Sequence, residues 1–347
     1  MRARALFHVC LWAAGPCVLA SAQTTFSPTG AGAPPAGMVL VPAGAFIMGT
    51  HKGVGDETPQ HTVKLPACYM DACEVTNAEY QAFVKATGHR APAPVEGEDQ
   101  LGDWKAGAVV PGRERLPVGY VDWSDAAAYA AWAGKRLPTE EEWEKAARGS
   151  DGREYPWRGP WDATKCNFVT DGPTEVGSFP QGVSPCGCLD MAGNVWEWTA
   201  SYYERYPGNK QQGNADYGHK YRVLRGGSWA DHCMYGVRCY ARSYGDPANR
   251  LPGVGLRCAL SAPDVKAFAG VVLPAGIPLP LGRQLLEALA RAVPKWRGRA
   301  QDVALCGDEQ HGFQVALPSA DGASSPATLD LRPLPTGVWV ALARPGQ

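Results

Sequence analysis

The sequence predicts a loop-rich α+β fold followed by a small α+β appendage, and three observations carry that expectation. The chain has 347 residues, 45% of them hydrophobic, enough apolar side chain for a sizeable core across about two domains. Its 41 Gly and 30 Pro are about a fifth of the chain, where ordinary usage is roughly 12%. That excess disfavours a helical bundle and favours turns and short strands. Helix-start signals then cluster before residue 150 and cease, while large rings continue; the chain carries 12 Trp, which can pin a loop-rich core.

The N-terminus is predicted to be processed. Arg2 and Arg4 precede an apolar run over residues 5–20, which Gly15-Pro16 interrupts, and Ala20-Ser21-Ala22 forms an A-x-A cleavage signal. The run is too short and too broken to span a membrane, and Cys17 after Gly15-Pro16 makes a poor lipidation site. Residues 1–22 therefore read as a signal peptide and 23–36 as a flexible leader. An exported protein, periplasmic or secreted, is expected. The net charge of -1 offers no electrostatic footprint for nucleic acid or an anionic membrane.

The elements follow in order. Met38-Val39-Leu40-Val41-Pro42 reads as a strand, Gly44 to Gly49 follows it, and residues 63–69 read as another strand. Thr76 with Glu79 is a capping box opening a helix that carries Tyr80, Phe83 and Val84 on one face. Ser124 is expected to cap a helix over 125–133, stopped by Gly134. Thr139 with Glu142 opens a third helix, to Arg148, ended by Gly149. From 151 to 260 the sequence is turns, Trp, Tyr and short strands. In Trp196-Glu197-Trp198 a strand would put both rings on one side and the carboxylate on the other. Residues 263–347 read as a separate extension. Leu281, Leu285, Leu289 and Val293 recur at helical spacing there, and 315–317, 328–331 and 338–342 read as strands. No functional residue stands out in it.

Cysteine usage fits export. Removing Cys10 and Cys17 with the signal leaves nine: Cys68, Cys73, Cys166, Cys186, Cys188, Cys233, Cys239, Cys258 and Cys306. The expectation for most of them is disulfides, with at least one thiol left over. No CxxC array points to structural zinc.

Residues 37–260 resemble the formylglycine-generating enzyme, or sulfatase-modifying factor, family. The resemblance rests on ordered blocks. They are Met38 to Gly44 with Phe46-Ile47-Met48-Gly49, Tyr69-Met70-Asp71 with Glu74-Val75-Thr76-Asn77, and Ala133 to Glu140 with Glu142-Trp143-Glu144. Downstream come Tyr155-Pro156-Trp157, Asp190 to Trp198, Arg225-Gly226-Gly227-Ser228-Trp229, and Gly255-Leu256-Arg257-Cys258. The family likeness implies a loop-rich fold related to C-type lectin domains.

What the resemblance implies for ligands is specific. One calcium site of the family would fall on Asp190, the carbonyls of Gly193 and Val195, and Glu197. A second would fall on Asn167, the Phe168 carbonyl, Asp171 and the Pro173 carbonyl, in a loop shorter than usual. Hard oxygens of this kind suit Ca²⁺.

Family members that oxidise a protein cysteine to formylglycine hold copper(I) on two cysteines, five residues apart, just after the Gly-Gly-Ser-aromatic block. Here Ser228 and Cys233 stand near catalytic positions, no cysteine stands at the second one, and Cys239 matches a structural cysteine. Ala147 and Ala130 replace the usual partners of Cys239 and Cys258, and Gly253 replaces an Asn-type residue. Cys233, Cys239 and His232 (or Met234) offer soft ligands for copper. The alternative is a disulfide between Cys233 and Cys239, or pairing of each with Cys258, Cys186 or Cys188. The His-x3-His-x-Glu iron motif of ergothioneine-type sulfoxide synthases is absent. The expected functions are an exported copper-assisted oxidase acting on a protein or peptide, a calcium-stabilised non-catalytic binding module, or a periplasmic tailoring enzyme of the pyoverdine-maturation type.

Overall fold

The computed structural model describes residues 24–25, 34–52, 55–94, 101–211 and 214–262. In the C-terminal region it describes 272–273, 277, 279–293, 303–308, 312–317, 327–334 and 339–343. The predicted signal peptide lies outside the described residues. Thr24–Thr25 of the predicted leader pair antiparallel with Val272–Leu273.

The architecture is α+β. β1 (Met38–Val41) forms as expected, and the segment after it adds a strand the sequence did not mark, β2 (Gly44–Met48). The single strand expected over 63–69 is two, β3 (His61–Leu65) and β4 (Cys68–Asp71). Pro66 separates them, because a residue without an N–H cannot continue a ladder. β2 and β3 make a hairpin, while β1 pairs with β4. Helix α1 (Asn77–Thr87) starts on the Thr76/Glu79 capping box and ends at Gly88 in left-handed geometry.

Helix α2 covers Trp123–Trp132, and its N-cap is Asp122, not the Ser124 the sequence suggested. Asp122 and Asp125 complete a reciprocal capping box, and a carboxylate at the cap also meets the helix dipole. Arg90 donates to both carboxylates and His89 sits 2.8 Å from Asp125, clasping the segment after α1 to the start of α2. Burial tends to raise the Asp125 carboxyl, but the Arg90 and His89 contacts outweigh it and hold it below its ordinary value. Helix α3 (Glu140–Arg148) has the Thr139/Glu142 box and stops at Gly149.

The sheet that positions the site follows. β5 (Trp196–Tyr202) pairs antiparallel with β6 (Arg222–Arg225) across an irregularity between Trp198 and Tyr202. β7 (Ser243–Gly245) extends β6, and β8 (Val254–Gly255) runs parallel to β5 on its other edge. β9 (Ala259–Ser261) joins β4 in the smaller sheet. Trp196 and Trp198 pack into one core with Tyr129, Ala130 and Cys258, while Glu197 points to Trp143, as the alternation required.

The second core joins β1, β4 and α3 around Trp143, Met191, Cys188, Cys239 and Ala147. A charged network crosses it. Glu144, fully buried, accepts from the Gly49 backbone at 2.8 Å, from Arg148 at 2.8 Å and from Arg225. Arg225 also donates to the carbonyls of Cys239, Tyr240 and Ala241, pinning the chain after the Gly226-Gly227 turn.

The extension forms its own unit. α4 (Leu279–Ala292) buries Leu285 and Leu289 against a four-stranded antiparallel sheet. That sheet comprises β10 (Ala304–Asp308), β11 (Gly312–Leu317), β12 (Ala327–Pro333) and β13 (Trp339–Ala343). β10 is one strand more than the sequence suggested. The Tyr69 hydroxyl donates to Glu287 at 3.0 Å, tying α4 to β4. Among the described residues no helix is long and apolar enough to cross a membrane.

Candidate functional site

Three segments meet behind β5 because glycines let their backbones approach. Gly226 and Gly227 take φ of +102° and +79°, which residues with a Cβ resist, and a Cβ on Gly227 would lie 2.7 Å from Val237. A Cβ on Gly253 would lie 3.2 Å from Ser228, and one on Gly236 would lie 3.0 Å from Asp231 and 3.4 Å from the Trp196 ring. The result is a closely packed corner where Trp196, Ser228, Trp229, Asp231 and Gly253 meet.

Asp231 is the ionisable group built into this corner. Its Oδ2 accepts from the Ser228 backbone N–H at 3.0 Å, and its Oδ1 accepts from the Trp196 indole at 3.3 Å. Burial raises its pKa, and these hydrogen bonds offset part of the rise. Beside it, the Trp229 indole N–H is buried without a hydrogen-bond partner. Exposed apolar side chains flank these segments in the sequence. Val169, Met234, Tyr235 and Leu251 are all exposed. Val169 adopts φ of +55°, an outlier for a β-branched residue, next to Thr170, whose N–H donates to the Trp229 carbonyl.

The predicted copper residues separate. Cys233 and His232 are exposed on the loop, whereas Cys239 is fully buried in the Trp143 core. Burial raises the Cys239 thiol pKa, so its thiolate is suppressed. Among the described residues no group of three or more His, Cys, Asp or Glu side chains converges to hold a metal. These residues do not fit a copper dithiolate.

The expected disulfides are also not formed. Cys68, Cys73, Cys166, Cys186, Cys188, Cys233, Cys239 and Cys258 are all free thiols, and the side chain of Cys306, in β10, is not described. Cys239 lies in the same core as Ala147, and Cys258 in the same core as Ala130, so each faces an apolar residue where the family likeness placed a partner. Burial pushes the Cys68, Cys166 and Cys188 thiols up to about 12.

The two predicted calcium loops are stitched together. The Asn194 N–H donates to the Asn167 carbonyl at 2.8 Å, and Asn167 Nδ2 donates to Asn194 Oδ1 and to the Gly172 carbonyl, each at 3.0 Å. Asn167 Oδ1 accepts from Thr170, Phe168 and Pro173 are half-buried, and Asp171 is exposed. Asp190 and Gly193 take φ of +57° and +78°, and Asp190 Oδ2 accepts from the Gly177 N–H at 2.6 Å. Glu197 receives Arg257 on both oxygens, each at 2.7 Å, and the Trp143 indole at 2.7 Å. Glu74 completes the cluster, accepting from Asn194 Nδ2 at 2.6 Å and from the Val195 N–H at 3.1 Å. Burial, then the charges of Asp190 and Glu197, raise the Glu74 pKa well above the carboxylate range. Three carboxyl groups thus share one guanidinium.

Sequence reasoning missed Asp231 and Glu74. The signal for Asp231 was available in part: Asp three residues after Ser228 is turn chemistry that lets a carboxylate reach back to the preceding backbone. Its partnership with Trp196, 35 residues earlier, was not.

Comparisons with known proteins agree with this geometry. The family model described as "Sulfatase-modifying factor enzyme 1-like domain" matches residues 23–262. The chain is 37% identical over 283 residues to the formylglycine-generating enzyme of Streptomyces coelicolor, covering 65% of this chain and 90% of that one. It is 35% identical over 283 residues to the inactive C-alpha-formylglycine-generating enzyme 2 of Bos taurus, covering 65% and 88%. The structure of PvdO from Pseudomonas aeruginosa superposes with a TM-score of 0.54 at 29% identity, covering 65% of this chain and 94% of that one.

Proposed function

The chain belongs to the sulfatase-modifying factor enzyme 1-like family, and from that premise we propose that it is an exported, peptide-directed protein of the tailoring type, not a two-thiolate copper oxidase. The observation that carries this reading is Asp231. A carboxylate braced by Ser228 and Trp196 stands just after the Gly226-Gly227 turn, while Cys233 is exposed on the loop and Cys239 is buried in the core. The tailoring role rests on the family resemblance drawn from the sequence, and the fold matches PvdO over nearly the full length of that protein.

In this reading the surface around Asp231 binds an extended segment of peptide. Asp231 accepts from a substrate N–H or O–H with the lone pairs its two bonds leave free. Val169, Tyr235 and Leu251 give apolar side chains a surface. Export, which the N-terminal sequence suggests, would place the reaction outside the cytoplasm.

We also propose that Ca²⁺ stiffens the loop of Asp190, Gly193, Val195 and Glu197. Support comes from the excess of buried carboxylate there. Among the described residues Arg257 is the cation beside Asp190 and Glu197, burial holds Glu74 toward its neutral form, and Ca²⁺ would add a second positive charge. Glu197 would take part only with lone pairs that Arg257 and Trp143 leave free.

Copper titration tests the main reading. Cu(I) added against a competing chelator is expected to find no stoichiometric thiolate site, and Cys233→Ser is expected to leave that result unchanged. Aldehyde formation on a cysteine-containing peptide with copper and oxygen should stay at the level of the protein-free reaction. Stoichiometric Cu(I) binding that Cys233→Ser abolishes would restore the oxidase.

A further inference from the structure

A cavity lies away from Asp231. It has a volume of about 570 Å³ and runs between Gly37, the 71–76 segment, the first turn of α1 and the C-terminal half of α2. None of Trp196, Ser228, Trp229, Asp231 or Gly253 lines it. Its size is that of a small-molecule site.

Its lining includes Tyr129, whose hydroxyl makes no hydrogen bond among the described residues. Tyr129 is only 2% exposed. Its ring is held by Tyr80, stacked at 5.6 Å, by Phe83, edge-on at 5.7 Å, and by Trp132 at 5.9 Å. Its hydroxyl lies among the charges of Asp71 and Glu79, which also line the cavity. A phenol held this firmly, at a cavity wall, supplies one directional donor to whatever enters.

The charge around that hydroxyl is negative. The wall carries Asp71, Glu79 and Glu114 against Lys135 and Arg115, while burial holds Glu74 toward its neutral form. Lys135 is already consumed by Asp71 at 2.7 Å, and Arg115 pairs with Glu175 at 3.0 Å. Glu79 and Glu114 meet only neutral backbone and hydroxyl donors in their own turns. Trp132 adds an aromatic wall that suits a cation.

We propose that this cavity is a binding site for a small organic cation that carries an ammonium group and a hydroxyl or carbonyl oxygen. The ammonium sits against Glu79 and Glu114 beside Trp132, and the oxygen accepts from Tyr129. The site goes beyond the peptide surface at Asp231, and neither depends on the other.

The test uses 5-amino-1-pentanol and its neutral counterpart 1,5-pentanediol, titrated calorimetrically into the full protein. The amine is expected to bind about tenfold more tightly than the diol. Tyr129→Phe removes a hydroxyl with no internal partner, so it should fold normally and weaken amine binding about fivefold to tenfold. Glu114→Gln, at the exposed rim, is the second variant and should weaken the amine while leaving the diol unchanged. The amine should also slow alkylation of Cys73, which lines the cavity. Equal binding of amine and diol, no binding of either at millimolar concentration, or full affinity in both variants would overturn the site.

Discussion

Arg257→Met is expected to lower the free energy of unfolding by about 3–5 kcal/mol, the cost of leaving a buried partner charge uncompensated. Arg257 and Glu197 are both fully buried and share two hydrogen bonds at 2.7 Å. Arg257 also donates to the carbonyls of Asp71, Ala72 and Leu189, so one side chain ties β4 to the Asp190 loop. Removing it leaves Glu197, Glu74 and Asp190 facing one another with no guanidinium between them. Replacing both members, as Glu197→Leu with Arg257→Met, should recover much of the loss, because no lone charge then remains. Urea unfolding followed by Trp fluorescence measures both. Run with chelator and then with Ca²⁺, the same experiment bears on the proposed cation. Ca²⁺ should recover part of the Arg257→Met loss, and a loss identical in both conditions would remove calcium from the Asp190 loop. A single-variant loss under about 1 kcal/mol would show that the pair does not carry the loop.

Gly193→Ala is expected to cost at least about 2 kcal/mol, from a left-handed backbone and overpacking together. Gly193 takes φ of +78°, and an added Cβ would lie 2.1 Å from the Asn167 carbonyl oxygen. That oxygen accepts the Asn194 N–H, the contact that joins the 167–173 and 190–197 loops. The alanine must therefore push the two loops apart, and Asn194 then loses its hold on Glu74 as well. Gly88→Ala is the control. It has a similar φ, +71°, but open space around the added Cβ, so it should cost only the backbone term. Equal losses at the two glycines would mean that the loop contact contributes nothing.

How much of this was legible in the sequence depends on distance along the chain. The capping boxes of α1 and α3 were readable because donor and acceptor lie three residues apart. The alternation in Trp196-Glu197-Trp198 was readable because a strand fixes it locally. The α2 cap was misplaced by two residues because Ser124 and Asp122 are both competent, and the Asp122–Asp125 pair decides in favour of the earlier one. The 63–69 strand was misread because its hydrophobic pattern runs through Pro66. Thiol pairing was not legible at all. Whether Cys239 meets another sulfur depends on α3, which presents Ala147, and no local pattern carries that information. The same limit hid Asp231, a loop residue whose role comes from Trp196 on a strand 35 residues earlier.

The reading of this site turns on which thiols solvent can reach. Brief alkylation of the native, full-length protein, with the modified cysteines mapped by mass spectrometry, measures this directly. The account predicts fast labelling of Cys233, slow partial labelling of the half-buried Cys73 and Cys186, and labelling of Cys239 only after unfolding. Fast labelling of Cys233 and Cys239 together, with Cu(I) protecting both, would contradict it.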